Sequence, residues 1–178
     1  FMKKVEERIV KPTLKGLSEE GINDCGFIFI GLMNCKGEPY VIEYNVRMGD
    51  PETEAVLPRI KSDLLAHFIA MGEGKLNSEK IEISEESSLA VVTVSCGYPE
   101  DYRKGVGISI EDGISSTLFH SGTALENGAL VTSGGRVMVV SAVGGELRSA
   151  SERAYRDVKK ISFEGMNYRR DVGEDQRK

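Results

Sequence analysis

Hydrophobic residues recur at helical spacing in two stretches near the start of the chain, residues 2–17 and 62–71. Between Met2 and Leu17 the apolar side chains share one face and Lys and Glu lie between them, which predicts an amphipathic helix. Pro12 lies inside this stretch, and because proline removes a backbone hydrogen bond we expect a bend there. A second helix is predicted over Ser62–Met71, with Ser62 able to cap it and His67 as a surface or packed residue.

A β-hairpin is predicted between these two helices. Gly26–Cys35 is an apolar run typical of a buried strand, Tyr40–Val46 is a second strand, and Lys36-Gly37-Glu38 is a tight connection. Asp50 and Pro51 then predict a further helix, with Asp50 as its N-cap and an acidic residue in its first turn.

The second half of the chain alternates short β-rich runs with turn residues. Residues 77–87 are polar and weakly structured, apart from a possible edge strand at Ile81 and Ile83, and we place a linker there. One further helix is predicted over Glu146–Ile161. The glycines of Ser133-Gly134-Gly135 precede a strand instead of opening a helix, so a hairpin is predicted there in preference to a phosphate loop. Further strands are predicted at residues 89–95, 106–110, 117–121, 129–132 and 136–143. The predicted fold class is α+β.

Composition narrows the possible partners and compartment. The chain has 178 residues and no Trp. Its net charge of −5 argues against nucleic acid or an anionic membrane as the main partner. Cys25, Cys35 and Cys96 are odd in number and lack CxxC spacing, so neither a disulfide framework nor a zinc site is indicated. With no signal peptide and no apolar run of membrane-spanning length, a cytoplasmic location is predicted.

The strand Tyr40–Val46 leads into a polar cluster that would suit a metal and a phosphate. Because side chains alternate along a strand, Glu43, Asn45 and Arg47 are predicted to project to one side. Mg²⁺ prefers oxygen ligands and is usually held by one or two protein groups together with substrate phosphates. The Arg47 guanidinium offers a forked donor for a phosphoryl group or a carboxylate. Spacing alone leaves a solvated strand face open as the alternative, and capping alone would account for Asp50 without any ligand.

Specific motifs spread over nearly the whole chain resemble those of a known protein family. They are Gly31-Leu32-Met33, the run from Val41 through Glu52 to Arg59, Cys96-Gly97-Tyr98-Pro99, Asp101-Tyr102-Arg103-Lys104-Gly105, Phe119-His120-Ser121-Gly122-Thr123, Gly134-Gly135-Arg136-Val137 and Tyr168-Arg169-Arg170-Asp171. In these motifs the chain resembles the phosphoribosylamine–glycine ligases, also called glycinamide ribonucleotide synthetases.

The resemblance implies a domain organisation. Residues 1–76 would be the C-terminal part of an ATP-grasp domain, and residues 88–178 the family's C-terminal domain, a small α+β domain of short antiparallel strands and one helix. Family members carry an N-terminal domain and the nucleotide-clamping first half of the ATP-grasp domain ahead of this point. We therefore expect a C-terminal fragment without assignable adenine-binding residues, inactive on its own.

The resemblance also implies an activity. The family joins glycine to 5-phosphoribosylamine with ATP as co-substrate, through a glycyl phosphate, in de novo purine biosynthesis. Glu43 and Asn45 match the ligands of the divalent metal, Mg²⁺ or Mn²⁺, and Arg47 falls near the transferring phosphoryl group as a catalytic residue. Asp50 and Glu52 are expected to contact glycine or the amine substrate. Another ATP-grasp carboxylate–amine ligase, a carboxylase, or a non-catalytic binding module are the alternatives.

Overall fold

The structure, a computed structural model, describes residues 1–23 and 25–176, and its contacts form two compact units. The first unit comprises residues 1–49 and 65–79, and the second comprises residues 50–64 and 80–178. Each unit therefore combines two separate stretches of the chain. The division into domains at residues 77–87 stays a prediction.

The first unit begins with helix in three consecutive pieces. Helix α1 (Met2–Val5) runs into a π-helical turn (Glu6–Val10) and then into α2 (Lys11–Glu19), which confirms the predicted amphipathic helix. Pro12 lies in the first turn of α2, directly after the π-helical turn. Because the wider turn changes the hydrogen-bond register before the proline, the missing N–H is accommodated without ending the helix.

The predicted hairpin is confirmed in the same unit. Strand β1 (Phe29–Cys35) pairs antiparallel with β2 (Glu38–Asn45). Lys36 and Gly37 both have positive φ, 54° and 84°, as a two-residue hairpin turn requires. The unit is completed by most of α4 (Leu64–Gly72), in which His67 is buried, as the packed alternative predicted.

The second unit is built around an antiparallel sheet of β3 (Ser87–Val94), β8 (Arg136–Gly144) and β5 (Thr117–His120), with strand order β3-β8-β5. Helix α5 (Leu147–Val158) packs on β3 and β8, and α3 (Thr53–Val56) also contacts both strands. The core consists of apolar side chains from the sheet and from α5, including Val91, Val137, Val140, Ala150, Ala154 and Val158. The other strands of this unit are β4 (Ser109–Ile110), β6 (Thr123–Glu126), β7 (Ala129–Thr132) and β9 (Ile161–Ser162). Helices and antiparallel sheets together confirm the α+β class.

Three local predictions in the second unit were wrong. Helix α5 ends at Val158, and Ile161 instead pairs with Ile110 between β9 and β4. Ser133-Gly134-Gly135 is not a hairpin turn, because it links β7 and β8, which lie in different sheets. The helix expected at Pro51 begins only at Thr53.

A buried carboxylate anchors α5 to the loop before β5. Asp157 is fully buried, and its Oδ2 accepts hydrogen bonds from the backbone N–H groups of Ser115 and Ser116, at 3.0 and 2.8 Å. Both serine hydroxyls donate to the same oxygen, at 2.9 and 2.7 Å. Burial acts to raise the pKa of Asp157, but these hydrogen bonds and that from Arg156 outweigh it and hold the pKa well below its ordinary value.

Candidate functional site

The predicted metal ligands lie near the end of β2. Glu43 pairs with Gly31 of β1 and Asn45 pairs with Phe29, so the two side chains are two residues apart and share one face of the hairpin. Glu43 is exposed and Asn45 is half-buried. Among the described residues neither side chain has a hydrogen-bond partner, so their oxygens are available as ligands.

A glycine opposite Glu43 makes room for its side chain. A Cβ atom at Gly31 would lie 2.9 Å from Cγ of Glu43, closer than real Cβ contacts come. The ladder also shifts register between Gly31 and Leu32. Such bulges redirect side chains and recur near functional sites. The backbone of β1 therefore favours the position that Glu43 occupies.

Arg47 does not belong to the same strand. Because β2 ends at Asn45, the alternation that predicted a shared face for Arg47 does not extend to it. Arg47 is exposed in the bend that follows, and its Nη1 donates a hydrogen bond to the carbonyl of Met48 at 3.0 Å. The structure thus brings Glu43 and Asn45 together, while the catalytic role of Arg47 stays a prediction.

Asp50 has a partner that the helix-cap prediction did not anticipate. The N-cap of α3 is Glu52, with no side-chain hydrogen bond, and Asp50 lies ahead of the helix. Nη1 of Arg136 lies 3.1 Å from Oδ1 of Asp50 and also donates to its backbone carbonyl at 2.7 Å. The cap prediction was wrong because α3 begins at Thr53, so Asp50 lies too far ahead of its first turn. Glu52 is exposed, and the substrate contacts predicted for both residues stay predictions.

Arg136 also lines a cavity of about 500 Å³ in the second unit. Apolar residues of β3 contribute to its lining, and Tyr98, Arg136, Tyr168 and Arg169 add phenol and guanidinium groups. All four belong to the motifs that carry the family resemblance. The sequence alone assigned no role to any of these four residues. Their presence in the family motifs was the signal that could have identified them.

The donor set at Glu43 and Asn45 fits a magnesium or manganese ion. One carboxylate and one amide oxygen on adjacent same-face positions match a hard cation that completes its coordination with water and phosphate oxygens. Within the described residues no three His, Cys, Asp or Glu side chains group as a metal cluster. The described residues therefore offer this pair, and not a cage made entirely of protein, as the candidate metal centre.

Comparisons with known proteins agree on one family. A family model for the phosphoribosylglycinamide synthetase ATP-grasp (A) domain matches residues 1–53, and the model for the C domain of the same synthetase matches residues 88–175. A phosphoribosylamine–glycine ligase from Chlorobaculum tepidum is 46% identical over 97% of the chain. A bifunctional purine biosynthetic protein from Pichia angusta is 41% identical over the same share.

A solved structure agrees as well. The crystal structure of phosphoribosylamine–glycine ligase from Thermotoga maritima matches with a TM-score of 0.85 and 36% identity, over 96% of the chain. The chain thus consists of part of an ATP-grasp domain followed by a small α+β C domain. It belongs to the phosphoribosylglycinamide synthetase family. The chain spans 41% of the Chlorobaculum relative, 22% of the Pichia protein and 42% of the Thermotoga structure.

Two further observations concern the described residues as a whole. In the part of the chain that the structure describes, no helix combines the length and apolar character needed to cross a membrane. The cysteines Cys25, Cys35 and Cys96 are all free and exposed.

Proposed function

We propose that this chain is part of an ATP-dependent ligase that joins glycine to 5-phosphoribosylamine, through a glycyl phosphate, in purine biosynthesis. The observation that carries the proposal is the 46% identity to a phosphoribosylamine–glycine ligase over 97% of the chain. The pairing of Glu43 with a glycine on β1 adds support, because it leaves room for the carboxylate at a candidate metal centre.

The chemistry of the proposed reaction explains the choice of residues. A carboxylate of glycine must approach an anionic γ-phosphate, and like charges come together only where cations neutralise them. A divalent cation bound by Glu43 and Asn45 would supply that neutralisation. Arg47 would add a guanidinium for the transferring phosphoryl group, and Asp50 and Glu52 would contact glycine or the amine.

The second half of the proposed reaction forms the amide bond. Once the glycine carboxylate has taken the γ-phosphoryl group and ADP has left, the amine of 5-phosphoribosylamine attacks the acyl carbon of glycyl phosphate. The amide bond forms, the C–O bond to phosphate breaks, and the nitrogen gives up one proton as phosphate is released. Water must be excluded while the acyl phosphate exists, because hydrolysis would waste the ATP. We place the reaction in the cytoplasm.

We further propose that the isolated chain does not catalyse this reaction. It spans 41% of the Chlorobaculum relative, and we infer that the adenine pocket lies in the part of the full-length ligase that this sequence does not contain. Glycine-dependent release of ADP by the 178-residue chain alone would contradict this inference.

A substitution at Glu43 tests the proposed function in the full-length ligase. Glu43→Gln keeps the shape of the side chain but removes the charge from the candidate metal ligand. We expect glycine-dependent ADP formation to fall more than about 100-fold, and the Mg²⁺ or Mn²⁺ concentration needed for half-maximal rate to rise. Metal binding measured by Mn²⁺ electron paramagnetic resonance, with nucleotide present, gives a second readout.

The matched control lies on the same strand. Glu38→Gln removes a carboxylate that forms exposed ion pairs with Lys4 and Arg8, and such pairs contribute little. We expect near-normal activity for this variant. Near-normal activity of Glu43→Gln would refute the metal role, and ADP formation by the parent enzyme that does not depend on glycine would refute the ligase itself.

A further inference from the structure

The ion pair between Asp50 and Arg136 joins two parts of the sequence that matter to the proposed reaction. Asp50 follows the candidate metal strand after a short bend, and Arg136 opens β8, the central strand of the second unit's main sheet. One guanidinium nitrogen contacts both the carboxylate of Asp50, at 3.1 Å, and its backbone carbonyl, at 2.7 Å. The contact therefore fixes the main chain of this segment as well as its charge.

Arg136 is itself held in place from its other side. Its Nε donates a hydrogen bond to the hydroxyl of Tyr98 at 2.9 Å. The ring of Tyr98 packs so closely on Gly135 that a Cβ atom there would lie 2.1 Å from Cδ2. The hydrogen bond with Tyr98, opposed by burial and helped by the charge of Asp50, raises the pKa of Arg136. The guanidinium is thus a fixed and charged donor.

The energetics favour orientation over stability as the role of this contact. The side chains of Arg136 and Asp50 are 37% and 55% exposed, and ion pairs so accessible to water contribute little to the free energy of unfolding. Accurate placement of reacting groups, in contrast, strongly affects rate, since a displacement of about 1 Å can cost on the order of 100-fold.

We propose that Arg136 is a positioning residue for the ligase reaction. It holds the Asp50 segment on the C-domain sheet, so that the carboxylates of Asp50 and Glu52 keep the geometry needed to receive glycine or the amine. The inference rests on the proposed function, and Asp50, Glu52 and Arg136 all lie within the second unit. Arg136 acts through Asp50, and it transfers no proton or group.

The test is a double-mutant cycle in the full-length ligase. Arg136→Gln should lower kcat/KM for glycine or 5-phosphoribosylamine by about 3- to 10-fold, while KM for ATP changes far less. Tyr98→Phe, which removes only the hydroxyl that orients Arg136, should give a smaller loss of the same kind. In the double variant the losses should not multiply, because both substitutions disturb one arrangement. Arg136→Lys should restore part of the activity.

The matched control is Arg148→Gln on α5. Arg148 is an exposed arginine that forms an ion pair with Glu152 at 2.9 Å, and its loss should leave all kinetic constants near those of the parent. Circular dichroism shows whether each variant is folded; if Arg136→Gln is not, Tyr98→Phe and Arg136→Lys carry the test.

Two results would overturn the positioning role alone. They are a folded Arg136→Gln enzyme within about two-fold of the parent, and fully multiplicative losses in the cycle. A parent enzyme without glycine-dependent ADP formation would instead overturn the proposed function, and the role of Arg136 with it. The two failures are therefore distinguishable in one set of assays.

Discussion

Replacing Asp157 with alanine is expected to destabilise the second unit strongly. The carboxylate is fully buried and accepts hydrogen bonds from two consecutive backbone N–H groups, those of Ser115 and Ser116. Alanine accepts none of them. The substitution therefore removes the anchor of α5 and leaves the N–H groups of exposed Ser115 and half-buried Ser116 without their protein partner.

The size of the effect follows from those donors. A hydrogen bond to a charged group contributes about 1.5–3 kcal/mol, so the two from Ser115 and Ser116 contribute roughly 3–6 kcal/mol, and water at exposed Ser115 replaces part of this. Removing the carboxylate also removes the cost of burying its charge, which offsets part of the loss. We expect the free energy of unfolding to fall by about 3–4 kcal/mol. Arg156→Gln, which removes an exposed partner at 3.2 Å, should cost less than about 1 kcal/mol.

Amide hydrogen exchange measures this change where it occurs. Because the chain forms two compact units, urea unfolding followed by circular dichroism reports their sum, whereas the amides of Ser115 and Ser116 report on the second unit. Protection of both amides should be lost in Asp157→Ala and retained in Arg156→Gln. Unchanged protection, or a loss of stability below about 1 kcal/mol, would contradict the anchoring role of Asp157.

The same carboxylate gives the stability a pH dependence of known sign. The folded state holds the pKa of Asp157 below the value of about 3.9 that an unfolded chain gives it. Its contribution is therefore present above that value and is lost as pH falls from about 5 toward the lowered folded pKa, because the unfolded state then binds more protons. Asp157→Ala should flatten the acid side of the stability curve.

Two glycines yield further expectations. Gly135→Ala would place a Cβ atom 2.1 Å from the ring of Tyr98, so thermal unfolding should shift several degrees lower, whereas Gly145→Ala, with nothing within 4 Å, serves as the control. Gly31→Ala would place a Cβ atom 2.9 Å from Cγ of Glu43, so the full-length ligase should need more Mg²⁺ for half-maximal rate while its melting temperature changes little; an unaltered Mg²⁺ requirement would show that β1 does not position this carboxylate.

The parts of the fold that the sequence predicts well are those that depend on local chemistry. The hairpin turn at Lys36-Gly37 requires positive φ at both residues, and the glycine favours it whatever the rest of the chain does. The apolar stripe of α5 needs only helical periodicity. At Ile161 the same periodicity continues past the end of the helix, because the side chain that fits the stripe also fits a strand that pairs with Ile110.

In the candidate site too, the sequence predicts only what depends on local chemistry. Glu43 and Asn45 were predicted to share a face, and β2 places them so, since two-residue spacing is a property of any strand. The prediction wrongly extended this alternation to Arg47, because β2 ends at Asn45 and nothing in the local sequence marks that end. Asp50 has ordinary capping chemistry, and only tertiary structure brings Arg136 to it from 86 positions away.

The interleaving of the two units bears on how the gene could be recombined with those of its relatives. The chain leaves one unit for the other after residues 49, 64 and 79, whereas the C-domain family model begins only at residue 88. A chimera joined at residue 88 would pair the sheet of one protein with α3 and Asp50 of another. Breakpoints that keep residues 50–64 with the sheet would preserve the hydrogen bond from Ser141 to the Glu54 carbonyl, at 2.6 Å, as well as the partnership of Asp50 and Arg136.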